Sequence, residues 1–365
     1  MKELKDIRKE IDAVDKEMAS LFEKRMSLVE EVARIKKENG LPLVDKNREK
    51  ELVERNSSYI QNQTIKEYYP PFMENLMGQS KRYQERLLSG MKVAYSGVPG
   101  AFGYIACKRM YPYAELVAFP DFKSAYESCE KGETDLCVLP IENSFAGDVG
   151  LVMDLLFEGS LKVNRVCNLP VTQNLLGVKG ARKEDIKVVY SHPQALAQSA
   201  AYLSKHGISG LERVNTAVAA KEVAEKGDKS VGAVASIETA EIYGLDVLEG
   251  NINSASDNST RFVVLSRVGR VPTKGKRMGE HFILVYTVKN EAGSLANTLN
   301  IIGSNGFNMR SVRSRPMKGL IWNYYFFIEA EGNISSGEGE DLLVQLRTVC
   351  DRLKLVGTYC ENEGE

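Results

Sequence analysis

The chain has 365 residues, a formal net charge of −1 and 43% hydrophobic residues. Such a length exceeds one ordinary domain and supplies cores for two or three. The balanced charge excludes a chain that holds nucleic acid or a membrane surface by bulk charge, so any bound anion must be met by individually placed cations. The six cysteines form no C-x-x-C pair, and with three histidines they make no metal-ligand cluster; they read as reduced thiols of a cytosolic protein. The opening MKELKDIRKE has no apolar h-region, and no long apolar run or internal repeat occurs, so the expectation is a cytoplasmic protein without a spanning helix.

From residue 3 to about 38, Leu4, Ile7, Ile11, Val14, Met18, Leu21, Leu28, Val32 and Ile35 form a heptad seam that predicts one long helix. At 1.5 Å per residue it is roughly 54 Å long, and so long an apolar stripe needs a partner helix. A second helix is predicted from Asp45 to about Gln61, and a third from Pro70 and Pro71 to about Leu88. From Met91 the rhythm changes. The order is strand 91–97, helix 100–110, buried strand 135–144 running into a loop, helix 149–159 and strand 163–171. A strand, loop and helix follow over 186–207, with further strands at 229–236 and 260–267. This alternation predicts an α/β segment of two lobes around a cleft. Residues 269–279 read as a basic linker. Beyond them the order strand, helix, strand, strand, helix, strand is the ferredoxin-like βαββαβ plan.

Arg25 interrupts the heptad seam where an apolar residue is expected, with Arg8 and Lys36 on the flank of the same stripe. A buried guanidinium needs an anionic partner; the plain alternative is that all three side chains snorkel to solvent. Arg8, Arg25, Lys36, Asp45, Arg48, Glu49, Ser80 and Gln84 resemble, in order and nearly in spacing, the active-site pattern of the all-helical chorismate mutase family. The resemblance covers residues 1–89 and implies a three-helix domain in an intertwined dimer. It implies that Arg8 and Arg25 hold substrate carboxylates, that Lys36 and Gln84 face the ether oxygen, and that Glu49 meets the hydroxyl. Asp45, Arg48 and Ser80 would complete the pocket. Arg8 and Arg25 are about 25 Å apart along one helix, too far to grip one small molecule from a single chain.

In the α/β segment three loop motifs carry polar residues at strand ends: Pro140-Ile141-Glu142-Asn143-Ser144, Ser191-His192-Pro193-Gln194 and Asn258-Ser259-Thr260-Arg261-Phe262. Each has a plain reading as a cap or turn, Ser191 as a helix N-cap above all. Together with the glycine-rich stretch 95–103 they resemble prephenate dehydratase. That resemblance covers 91–268 and places Thr260 at the substrate's ring hydroxyl. Asn143, Ser144, Ser191, Gln194 and Arg261 would meet its polar groups, with Glu142, His192, Asn258 and Phe262 beside them. A dinucleotide reading fails on spacing, since Gly97, Gly100 and Gly103 do not form G-x-G-x-x-G.

Residues 280–360 resemble an ACT domain, a module that commonly binds amino acids at domain interfaces. Beside a dehydratase it implies sensing of phenylalanine. Gly293-Ser294-Leu295 and Arg313-Ser314-Arg315-Pro316 fall where the family's effector motifs fall, and Arg313 stands where related enzymes have a glutamate, which reverses a charge. The whole then implies a cofactor-free, homodimeric enzyme that turns chorismate into prephenate and prephenate into phenylpyruvate. Two other readings stay open: a ligand-binding regulator on a dimerising coiled coil, and a mutase whose remaining segments only regulate.

Overall fold

The computed structural model describes residues 3–39, 46–254, 258–270, 279–317 and 323–360. Asp45 and most of the expected linker at 269–279 lie outside them, as does the side chain of Glu49. The chain divides into two compact units, 1–91 and 92–365.

The first unit is helical: α1 Leu4–Glu38, α2 Lys46–Ser57, a short α3 Gln63–Lys66 and α4 Tyr69–Ser89. No Pro or Gly interrupts α1. The second helix stops four residues before Gln61, where the Ser57 hydroxyl bonds the Val53 carbonyl and the Ser58 hydroxyl the Arg55 carbonyl, both at 2.7 Å. Such side chains compete with the backbone ladder. Asn62 then caps α3 by accepting from the Thr64 N–H. Pro70 and Pro71 occupy the first turn of α4, where a missing N–H breaks no helical bond. α1 lies against α4. The α1 residues that lose exposure are Arg25, Met26, Val29, Ala33 and Lys36, at helical spacing. The heptad seam itself stays open on the single chain: Leu4, Ile11, Leu21 and Leu28 are all more than half exposed.

The second unit begins with β1 Lys92–Ser96, α5 Phe102–Met110, β2 Glu115–Phe119, α6 Phe122–Lys131, β3 Leu136–Asn143, β4 Gly147–Asp148, α7 Gly150–Glu158 and β5 Lys162–Pro170. A second lobe follows: β6 Asn174–Gly177, β7 Val188–Ser191, α8 Pro193–Gln198, α9 Ala200–Lys205, β8 Ser209–Glu212, α10 Thr216–Lys226, β9 Val231–Ala235, α11 Ile237–Tyr243 and β10 Asp246–Glu249. The chain returns to the first lobe as β11 Ser259–Ser266. It ends with β12 Glu280–Thr287, α12 Ser294–Ser304, β13 Asn308–Pro316, β14 Tyr324–Glu331, α13 Gly337–Val349 and β15 Arg352–Cys360.

Two sheets organise this unit. The second lobe has the order β10-β6-β9-β7-β8. The other sheet runs β13-β14-β12-β15-β5-β11-β3-β1-β2, with β4 beside β3. The C-terminal segment thus keeps the βαββαβ order and continues the first lobe's sheet through β15 and β5, which are parallel neighbours. One face of its strands packs on α12 and α13 through Phe282, Leu284, Tyr286, Ile328 and Leu342. The other face joins the first lobe's core: Ile283, Val285, Tyr325 and Phe327 share a cluster with Val152, Met153 and Leu156 of α7. Alternation of side chains along a strand produces this division. No described helix is long and apolar enough to cross a membrane.

Candidate active sites

In the helical unit the structure brings Arg25 and Ser80 together: the guanidinium donates to the Ser80 hydroxyl, which in turn bonds the Leu76 carbonyl at 2.8 Å. Burial shifts the Arg25 pKa down. Ser80 and Gln84, one turn apart on α4, are both buried. Lys36 lies three turns beyond Arg25 on the same side of α1 and is half-buried. Arg8 and Arg48 are exposed. Beside Arg25, Met18, Phe22, Phe72 and Met73 line an apolar groove.

In the second unit a cavity of about 130 Å³ is lined by Asn143 and Thr260 from the first lobe and by His192, Gln194, Ala195, Gln198, Asn215 and Thr216 from the second. Asn143 and Thr260 are opposite each other in the β3–β11 ladder. The Asn143 amide donates to Thr260 Oγ1 at 2.9 Å, and also lies 3.1 Å from Asn258 Oδ1 and from the Ser259 carbonyl. Its oxygen accepts from Gln194 Nε2 at 2.8 Å and from the backbone N–H groups of Phe145 and Ala146. Because Thr260 Oγ1 accepts from Asn143, the hydroxyl proton is left for a group in the cavity. Ala101 and Phe102 start α5, Asn215 and Thr216 start α10, and His192 precedes α8. Three helix starts therefore face one cavity, an arrangement that favours negative charge.

His192, not Ser191, is the N-cap of α8: its Nδ1 accepts from the Gln194 N–H at 3.2 Å. That bond leaves Nε2 as the protonated nitrogen of the neutral ring. Burial lowers the His192 pKa, opposed by the charge of Glu212. Ser191 is fully buried and donates to the Val234 carbonyl at 2.6 Å, so its hydroxyl serves the second lobe's packing instead of the cavity.

Other expected contacts also turn away. Arg261 follows Thr260 on β11, so its side chain takes the opposite face. It forms a two-point pair with Glu329, at 2.7 and 3.0 Å, and reaches Glu142 at 3.3 Å. Burial works against the Arg261 charge, yet Glu329 holds its pKa above the ordinary range; Arg261 outweighs the burial of Glu329 and holds that carboxyl low. The Tyr359 hydroxyl also donates to Glu329. Glu142 precedes Asn143 and faces the same way as Arg261. Phe262 is core. Ser144 accepts from the Ser259 N–H at the rim, and Asn258 links Asn143 to Gln198 behind the cavity wall.

In the C-terminal segment Gly293 caps α12 with φ 86°, Ser294 opens the helix and Leu295 packs beneath it. Arg313 and Arg315 alternate with the exposed Ser314 and Pro316. Arg315 pairs with Asp154 at 3.0 Å, and Asp154 also accepts from the Tyr325 hydroxyl. Arg313 pairs with Glu142 and Asp148.

Sequence reasoning missed Gln173, Gln198, Asn215 and Thr216 as cavity residues. Gln198 had a signal, one helical turn beyond Gln194; Asn215 had one as an N-cap before an apolar helical run. Gln173 sits in an apolar stretch and had none. Among the described residues no group of three His, Cys, Asp or Glu side chains is placed to hold a metal ion.

A family model for chorismate mutase type II matches residues 7–85, and one for prephenate dehydratase matches residues 93–270. A bifunctional chorismate mutase/prephenate dehydratase of Aquifex aeolicus is 29% identical over 98% of both chains. Arogenate dehydratase/prephenate dehydratase 1 of Arabidopsis thaliana, a chloroplastic protein, is 32% identical over 74% of this chain and 72% of its own. Among solved structures, a prephenate dehydratase from Arthrobacter aurescens in complex with L-Phe superposes with TM-score 0.69 at 25% identity, over 75% of this chain and 92% of that one.

Proposed function

The chain belongs to the bifunctional chorismate mutase/prephenate dehydratase family and is an enzyme of both kinds, and we propose that it carries chorismate to phenylpyruvate through two separate sites. The mutase site lies in residues 1–89, the dehydratase site in 91–268, and a regulatory ACT domain in 280–360. The protein works in the cytoplasm as at least a homodimer, and neither reaction takes a metal or an organic cofactor.

The mutase step is a pericyclic rearrangement, so the protein's task is to fix a folded conformer and to stabilise charge on the breaking ether oxygen. Arg25 holds one carboxylate, with its guanidinium oriented by Ser80. Lys36 and Gln84 face the ether oxygen, and Glu49 meets the hydroxyl, with Asp45 and Arg48 completing the pocket. Arg8 serves the partner's site. The open seam on α1 supports this, because nine apolar residues left in water favour association with a second copy.

In the dehydratase step the ring carboxylate leaves as CO₂, its bonding electrons enter the ring, and the ring hydroxyl departs as water after gaining a proton. Thr260 donates a hydrogen bond to that hydroxyl, oriented by Asn143, while the helix starts of the second lobe hold the carboxylates. The observation that carries this reading is the Asn143–Thr260 bond in a cavity faced by three helix starts. Phenylalanine is the proposed effector; the Arthrobacter relative's complex with L-Phe supports it.

The test is product analysis of the full chain, metal-free, given chorismate and no NAD. Phenylpyruvate is the expected product. Prephenate alone would remove the Thr260 assignment, and unchanged chorismate from a folded protein would favour the ligand-binding reading.

A further inference from the structure

Arg313 reaches out of the C-terminal segment to the base of the loop that carries Asn143. Its Nη2 lies 2.8 Å from Glu142 Oε2 and its Nε 2.9 Å from Asp148 Oδ1. Glu142 and Asp148 are direct partners across the β3–β4 ladder, and the next pair inward is Asn143 with Gly147. Two carboxylates facing each other across adjacent strands repel and splay the pair. One guanidinium bridging both removes that repulsion and ties the strands together. The side chain of Arg313 is only 15% exposed, so this cation is poorly screened by solvent.

The position of Asn143 depends on this base. Its oxygen accepts from the N–H groups of Phe145 and Ala146 at the loop tip, and its amide reaches Thr260 across to β11. If the base opens, the tip moves, and the amide leaves the hydroxyl that it orients. Glu142 is held from the other side by Arg261. Arg261 sits on β11, the strand next to β3, so it ties Glu142 to its own ladder; Arg313 ties the loop base to the distant β13.

We propose that Arg313 is a positioning residue of the dehydratase, clamping Glu142 to Asp148 so that Asn143 stays in register with Thr260. This rests on the reading of that pair as the dehydratase site. It also gives the exchange of glutamate for arginine at 313 a physical meaning. A glutamate there would set three carboxylates together, so this chain's arginine makes the C-terminal segment part of the dehydratase site's scaffold. Any ligand that shifts β13 then acts on Asn143 through the clamp.

The experiment uses the full chain and follows prephenate consumption and chorismate consumption separately. Wild type must first convert prephenate to phenylpyruvate; if it does not, the dehydratase reading fails before the clamp is tested. Arg313→Glu is expected to lower dehydratase kcat/KM about tenfold to a hundredfold, the scale on which small misplacements act. The mutase rate of the same preparation stays unchanged. The triple variant R313E/E142Q/D148N, which removes the repulsion, is expected to regain most of the loss. Arg313→Gln supplies a readout independent of activity: the amides of Phe145 and Ala146 should exchange hydrogen faster than in wild type. An R313E dehydratase within about twofold of wild type, a loss that the triple variant does not relieve, or unchanged exchange in R313Q would each overturn the proposal.

Discussion

Thr260 and Arg261 are neighbours in sequence and face opposite ways, and the difference decides which of them chemistry can use. Thr260 lines the cavity with its oxygen engaged by Asn143. Thr260→Ala should therefore reduce dehydratase turnover by about a hundredfold or more, while chorismate consumption stays at the wild-type rate. Thr260→Ser keeps the hydroxyl and should retain much more. Equal loss of both activities in T260A would show that the residue is structural. His192 allows a test by pH. Its folded pKa lies below the ordinary 6.5 because of burial, so the unfolded chain binds a proton first as pH falls. Stability therefore drops with acidification below about 6.5 and is independent of this group above it. Protonation of Nδ1 would also remove the acceptor of the Gln194 N–H. Measured as the difference in unfolding free energy between wild type and His192→Gln, the advantage of histidine should shrink between pH 6.5 and 5; a difference that stays flat over that range would contradict it. The motifs around these residues were legible because their residue types recur at strand ends. Which way each side chain points was not. A strand's register and bulges set it, and the ladder of β11 with β3 shifts between Arg261 and Phe262.

At the scale of elements, α1 was the most legible feature, since its seam repeats over nearly the whole helix with Arg25 as its one polar break and no Pro or Gly inside it. The short pieces of the second lobe were not. β6, β7, β8 and β10 have four residues each, too few for a period to stand out. A single helix read after His192 is broken at Ser199 into α8 and α9, a break that the residue types do not announce. The open seam makes its own demand. Arg8 and Arg25 lie about 25 Å apart along α1, so a site that needs both must take them from two chains. Co-expressed Arg8→Ala and Arg25→Ala chains should form heterodimers in which one site has both arginines. Mutase activity of the isolated heterodimer should exceed that of either homodimer by about tenfold or more. Heterodimers as inactive as the homodimers would mean that each chain builds its site alone.

The second unit as a whole is held by a sheet that runs from the dehydratase lobe into the C-terminal segment. The βαββαβ order of that segment could be read from the sequence. Its joining to the lobe could not, because the pairing of β15 with β5 spans nearly two hundred residues and rests on one backbone contact. Gly357 is opposite Val163 there, and a Cβ on it would lie 2.0 Å from the Val163 carbonyl oxygen and 2.7 Å from its nitrogen. Only glycine lets the two strands meet. Around the junction, the Phe157 and Tyr325 rings stack at 4.3 Å, and Lys354 donates to the Leu156 carbonyl at 2.7 Å at the end of α7. Burial, with the charges of Lys162 and Arg352 beside it, brings the Lys354 pKa down to about 8, and the ammonium is met by helix-end carbonyls. Because one core serves both segments, they should unfold together. Gly357→Val forces β15 from β5 and should cost about 3 kcal/mol, the upper range for overpacking. In a unit of this size that lowers its melting temperature by roughly 5 °C. Dehydratase activity should vanish at the same lower temperature, while the mutase activity, which belongs to the other compact unit, keeps its wild-type heat profile. Calorimetry of G357V separates the cases. A single shifted transition for the second unit supports one cooperative body. If the C-terminal segment melts early and leaves the dehydratase transition where it was, the shared core does not couple them, and the clamp at Arg313 would have to act without help from β15.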